Sequence, residues 1–313
     1  MTELADLILR SGRAGVELAL FVLLPVMVVM LTLMRLLEAK GILDRIVQWV
    51  SPLLSPLGIP GLGVFALLQV LLVSFAAPLA TLTMMDRGGA SRRHIAAVLA
   101  LVFGCAQANV TFPMSAVGLD GLLTLLVSAA AGILGAAATY HLFGRALDDV
   151  DEGPEERPKH RSADDAKGVL NVINRAGGEA FSIAVGSIPM LILALLLVNS
   201  LRDAGAMGAL ETLLDPIFRC LDLPTAMVLP IVTKYIAGGT AMMGVAVEFL
   251  NDGLITAVDL NRMAGFLIHP LDVAGIAILI SAGPRVASVL RPALLGGFLA
   301  IGLRALFHYF WFL

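Results

Sequence analysis

Lys234 and Asp272 are charged residues set in otherwise apolar runs, and His269-Pro270 stands just ahead of the second. A charge at the centre of a bilayer costs at least about 2.5–3.5 kcal/mol on insertion scales, so it is normally paired, wetted or functional. The chemistry that fits is capture of an anion and movement of a proton. An ammonium at Lys234 holds a carboxylate or phosphate, while Asp272 or His269 exchanges a proton, imidazole being the side chain that titrates near neutral pH. Two plainer readings compete: a Lys234–Asp272 ion pair that only locks two segments together, and a His269 satisfied at a helix break. Proline at 270 has no amide hydrogen, so it breaks the helix it stands in. Helix ends facing a cavity offer orphan N–H and C=O groups to a solute.

Three clusters besides His269-Pro270-Leu271-Asp272 lie at the same depth. Ser74-Phe75-Ala76-Ala77-Pro78 interrupts one apolar run, and Lys234-Tyr235-Ile236-Ala237-Gly238-Gly239-Thr240 interrupts its counterpart. Gln107 and Asn109 follow the first interruption, beside Gly104 and Cys105. Side-chain amides donate and accept, so they orient a polar solute without fixing its charge; bonding between helices is the equal competitor. Tyr235 stacks on a solute or anchors at the interface. The expected binding set is Ser74, Ala77, Pro78, Gln107, Asn109, Lys234, Tyr235, Gly238, Gly239, Thr240, His269 and Asp272, with His269 and Asp272 in proton coupling. Met84, Met85, Met242 and Met243 read as packing rather than a soft-metal site. No metal site, cofactor or catalytic set is expected: there is no His-Glu-x-x-His and no Ser/His/Asp arrangement. An enzyme built on His269 and Asp272 therefore ranks last.

The elements that must position these groups lie in a membrane. Hydrophobic residues make up 58% of the 313 and charged residues 14%, against about 25% charged in a soluble domain. Runs such as 18–34, 95–110, 122–140 and 183–198 approach the length of a spanning helix. No cleavable signal peptide is expected, since residues 1–10 lack a basic start and a cleavage site. Cys105 and Cys220 make no disulfide framework, and nothing resembles a nucleic-acid footprint. The chain is also written twice. Arg13-Ala14-Gly15-Val16-Glu17 returns as Arg175-Ala176-Gly177-Gly178-Glu179, and Pro25, Gly41, Pro52 and Pro60 return 164 residues later as Pro189, Gly205, Pro216 and Pro224. Matching residues at a fixed period mark one unit used twice. The first unit spans 1–143 and the second 175–313, joined by an acidic and then basic linker, 144–174, with a short amphipathic helix expected at 166–173.

Each unit reads in the same order. A long apolar helix (15–37, 180–200) precedes an amphipathic piece (42–57, 207–221), then an interrupted stretch (62–85, 226–250), then two apolar helices (94–112 and 118–143; 262–281 and 286–312). If the interrupted stretches are re-entrant hairpins, Arg35, Lys40, Arg45, Arg87, Arg92, Arg93, Arg285 and the linker share one face. The opposite face is acidic, which is the positive-inside pattern; eight full spans would largely erase it. The expected fold is therefore all-α integral membrane, with two inverted repeats. Each has three spanning helices, an amphipathic interfacial helix and a re-entrant helical hairpin. The N-terminus lies outside and the linker inside a bacterial cytoplasmic membrane. Small residues at 129–138 allow close helix packing within the chain or in a homo-oligomer.

Gly41-Ile42-Leu43 with Pro52 and Pro60, followed by the Ser74-x-x-x-Pro78 tip, resembles the nucleoside-recognition or Gate domain. That domain is found in concentrative nucleoside transporters, the membrane part of ferrous-iron transporters and spore-maturation-type membrane proteins. Both halves show the likeness, and length and two-copy layout are most similar to the last group. The nucleoside transporters carry a Gln-Thr-Glu-Ala-Pro-like run at the first tip, of which only Ala77 and Pro78 are matched here. Their Asn-Glu-Phe-like second tip reads Lys234-Tyr235-Ile236. The Gly-Cys-x-x-Pro signature of the iron transporters is not reproduced by Gly104-Cys105-Ala106-Gln107. The resemblance thus implies the fold more than a substrate. The function expected is secondary transport of a small polar or anionic solute, proton-coupled or facilitative; a non-transporting scaffold or assembly factor is the alternative.

Overall fold

The computed structural model describes residues 2–148, 168–203 and 222–313, with positions 212, 216, 218 and 219 besides. The chain opens as one long helix: α1 (Thr2–Glu17) passes through a wide π-type turn at Leu18–Leu23 into α2 (Leu24–Ala39). It begins well before residue 15, where the span was expected to start. After the linker, most of which lies outside the described residues, α9 (Val169–Asp203) runs unbroken for 35 residues. From Val169 on, the short helix expected at 166–173 and the span from 180 are one element, because one buried stripe runs through both; residues 166 and 167 lie outside the described residues. Val172, Ala176, Ala180, Ala184, Leu191 and Leu195 face inward at helical spacing. The alanines let α9 lie close against α1 and α2. The two long helices are antiparallel: Arg35 late in α2 pairs with Glu179 early in α9 at 2.8 Å. At the other end Asn199 donates to the Ser11 hydroxyl at 3.1 Å.

Gly41, at φ +65°, turns the chain into α3 (Ile42–Leu54). Glycine adopts that left-handed conformation without steric cost. The segment Ile42–Leu57 meets α4 (Gly61–Leu72) at 109°, with Ile46, Trp49 and Leu53 exposed, as an amphipathic helix at a membrane surface presents them. Its counterpart, 207–221, lies almost wholly outside the described residues. α4 and α5 (Pro78–Arg87) pack on one another across the non-helical residues 73–77, and α10 (Val228–Ala237) and α11 (Gly239–Asn251) do so across Gly238 alone.

Each of these pairs is followed by a helix in two pieces. α6 (Arg92–Gly104) and α7 (Ala108–Ser115) make the span Arg92–Ser115, 94% of whose apolar window is enclosed by protein. α12 (Ala257–Leu267) and α13 (Val273–Ile280) flank the break at 268–272, so the expected helix 262–281 is discontinuous. α8 (Gly121–Ala138), the short α14 (Pro284–Ser288) and α15 (Leu290–Trp311) complete the bundle. α15 packs on α6, α8 and α12. Gly132 and Gly135 leave no room for a Cβ against Cys105, Gly296 and Ala300, so these two glycines serve packing inside the chain. Five helices among the described residues are long and apolar enough to cross a membrane: Ala5–Leu37, Arg92–Ser115, Gly121–Phe143, Val169–Leu197 and Leu290–Trp311. The protein is a multi-pass membrane protein.

Candidate functional site

Lys234 lies in the last turn of α10, and Asp272 is the N-cap of α13. Their side chains form a salt bridge between Nζ and Oδ2, with exposures of 0% and 4%. The other carboxylate oxygen, Oδ1, accepts from the Gly275 amide at 2.8 Å. One carboxylate thus meets an ammonium and a helix N-terminus together. Gly238, at φ +90°, ends α10 beside that carboxylate.

His269 is wholly buried. The Leu271 amide donates to Nδ1 at 3.1 Å. Nδ1 is therefore an acceptor, and the ring hydrogen sits on Nε2, which donates to the Phe266 carbonyl at 2.9 Å. Both ring nitrogens are committed to the backbone of the break. The Tyr235 ring lies 5.8 Å from the His269 ring and 5.6 Å from Phe266.

The amides from the first half reach both tips. Gln107 Nε2 donates to the His269 carbonyl at 3.4 Å, and Gly239 packs so closely on that amide that a Cβ would collide with it. Asn109 Oδ1 accepts from the Phe75 amide of the first tip at 3.3 Å. Gln107 is 2% exposed and Asn109 4%. Asn109 and Gln107 hydrogen-bond the first break to the first tip and to the second break, the Lys234–Asp272 pair joins the second tip to the second break, and Gly239 packs on Gln107, making a contact network around the two breaks. Ser74, Ala77 and Pro78 lie in or at the edge of the first tip, half-buried except for the buried Pro78, and Thr240 lies in the first turn of α11. Among the described residues, no hydrogen bond links the Ser74 or Thr240 side chain to this network. Nor could any group of three or more His, Cys, Asp or Glu there hold a metal ion.

Two residues outside the expected set hold the breaks. Ser128 of α8 accepts from the Ala106 amide, and the Cys105 thiol donates to the Ser128 carbonyl at 3.6 Å. Arg304 of α15, with 0% exposure, donates from Nη1 to the Gly104 carbonyl at 2.8 Å and from Nη2 to the Ile268 carbonyl at 2.9 Å. An arginine inside the apolar run 290–311 is the same signal that marks Lys234.

Two helical pairs, each followed by a discontinuous helix, thus meet around Gln107, Gly239 and the His269 carbonyl. Residues 20–120 match the family model described as Gate, nucleoside recognition. The whole chain shares the fold of CNTnw, a concentrative nucleoside transporter. A doubly substituted CNTnw in an outward-facing state superposes with a TM-score of 0.67 at 16% identity, over 98% of this chain and 84% of that one. CNTnw in an inward-facing substrate-bound state gives 0.64 at 16% identity over 98% and 83%. A singly substituted CNTnw in an intermediate state gives 0.65 at 17% over 99% and 84%. No curated protein matches the chain in sequence.

Proposed function

We propose that the chain is a secondary transporter of the bacterial cytoplasmic membrane that carries a small anionic solute together with a proton. The observation that carries this reading is the buried Lys234–Asp272 pair, which joins the second tip to the second helix break. A solute carboxylate or phosphate takes the place of Asp272 on the Lys234 ammonium. The displaced Asp272 carboxyl takes up a proton and stays beside α13. The buried site then holds zero net charge before and after exchange, which avoids the several kcal/mol that an uncompensated buried ion costs. Sodium fits less well, because the Lys234 ammonium repels a nearby cation. We assign the proton to Asp272 rather than His269, whose ring nitrogens already bond the backbone. Gln107 and Asn109 orient the solute, with Tyr235 and the tip residues Ser74, Ala77, Pro78, Gly238, Gly239 and Thr240 around it.

We read the two halves, 1–143 and 175–313, as inverted repeats with re-entrant hairpins at 62–85 and 226–250. Antiparallel packing of α1–α2 against α9, the first helix of each half, supports the inversion. The charge pattern of the sequence supports an outer N-terminus and an inner linker. Uptake into proteoliposomes, screened across nucleosides, amino acids, organic acids and divalent metals with a proton-flux readout, tests the reading. Uptake of anions with proton movement supports it, and uptake confined to neutral solutes or cations overturns it.

A second reading, a non-transporting membrane scaffold, draws on the extent to which Lys234, Asp272, His269 and Arg304 satisfy one another and the backbone. It predicts no uptake of any solute and a stable protein partner on purification.

A further inference from the structure

Gly104 and Ile268 are separated by the same 164 residues as Pro25 and Pro189 or Pro60 and Pro224. They are thus equivalent positions of the two repeats, each at the C-terminal end of the first piece of a broken helix. Arg304 donates one arm of its guanidinium to each of these two carbonyls. The planar fork of an arginine can do this, and the single ammonium of a lysine cannot match it. The broken helices leave two negative dipole ends in the interior, and one buried positive charge answers both. Arg304 is wholly buried and lies closely against Gly265, where a Cβ would run into the Arg304 backbone. Nothing in the duplicated sequence supplies this group twice: the position 164 residues earlier is Tyr140.

We infer that Arg304 is a positioning residue that ties the two helix breaks into one unit, so that they open and close together. Gln107 follows Gly104 by three residues and Asp272 follows Ile268 by four. Fixing the two carbonyls therefore sets the spacing between the amide of the first break and the carboxylate of the second. This deepens the transport reading by naming what coordinates its site, and it rests on that reading only for what the breaks do. The tie itself is measured without any transport.

The native Cys105, wholly buried beside the first carbonyl, is a reporter once Cys220 is replaced by serine. Leu271→Cys in a Cys105→Ala background reports on the second break, and Ala293→Cys, buried on α15, is the control. The probe is N-ethylmaleimide applied to protein in lipid vesicles. Arg304→Met is expected to raise the labelling rate at least tenfold at both breaks and to leave the Ala293 position protected. Arg304→Lys is expected to restore protection at one break only. Labelling unchanged at both breaks, or raised equally at the control position, overturns the inference. Where Arg304→Met does not fold, Arg304→Lys decides by the same comparison. If neither folds, hydrogen exchange in the unsubstituted protein does so: the amides of 105–107 and those of His269 and Leu271 should exchange at one common rate, and rates more than tenfold apart refute the tie. Unchanged labelling with uptake intact removes the tie and leaves the transport reading; coupled labelling without uptake does the reverse.

Discussion

Removing one partner of the Lys234–Asp272 pair should cost far more than removing both. Both side chains are buried, and breaking such a pair typically costs about 3–5 kcal/mol because the survivor is left uncompensated. The two partners are not equivalent. Asp272 also caps α13 through the Gly275 amide, a contact worth about 1 kcal/mol. Asparagine caps as well as aspartate, so Asp272→Asn should lose the pair alone, about 3 kcal/mol, and Asp272→Ala about 4 kcal/mol. Lys234→Met leaves a carboxylate that the N-terminus of α13 still favours, so its cost should fall at the lower end, about 3 kcal/mol. The double variant Lys234→Met/Asp272→Asn leaves no buried charge behind and should cost less than either single change. Unfolding in mixed detergent micelles, followed by the fluorescence of Trp49 and Trp311, measures all four. Additive costs within about 0.5 kcal/mol would show that the two residues do not interact, and the exchange mechanism would fall with the pair.

Gly239→Ala should push the second tip off Gln107, since its Cβ would collide with that amide. Overpacking of this kind costs about 1–3 kcal/mol, and uptake should fall with it. Ile236→Ala at the same tip, where the side chain is 63% exposed, should stay within about 0.5 kcal/mol of the parent. For topology, Ser91 is buried and accepts from the His94 amide, so the exposed neighbour Arg92 is the position to label. Arg92→Cys should react with an impermeant maleimide only from the cytoplasmic side, and reaction from outside would reverse the proposed orientation.

Local chemistry made much of this molecule readable, and tertiary contacts made the rest opaque. Pro270 announces its break because a missing amide hydrogen is a property of the residue itself. The approach of Lys234 to Asp272 was likewise expected, since two charges in apolar surroundings have few partners but one another. The break at 105–107 carries no such mark. Gly104-Cys105-Ala106 could continue a helix, and what holds it open comes from elsewhere: Ser128 of α8 and Arg304 of α15. The stretch around Gly177-Gly178 misleads in the opposite sense. It reads as a boundary, yet α9 continues because the alanine stripe before and after it packs on α1 and α2. Arg304 carries the mark of a charge in an apolar run, but it has no repeat partner, Tyr140 standing at the equivalent position, so its sequence context does not name the two carbonyls it meets.

The proposed transport cycle exchanges an anion and a proton at Lys234 and Asp272. It is tested most directly by uptake of radiolabelled organic anions into proteoliposomes with and without an inward-directed pH gradient. An acidic exterior should accelerate uptake in the parent protein, and Asp272→Asn should abolish that acceleration while His269→Gln keeps it. Anion uptake that ignores the pH gradient, or acceleration that survives Asp272→Asn, would show that Asp272 carries no transported proton.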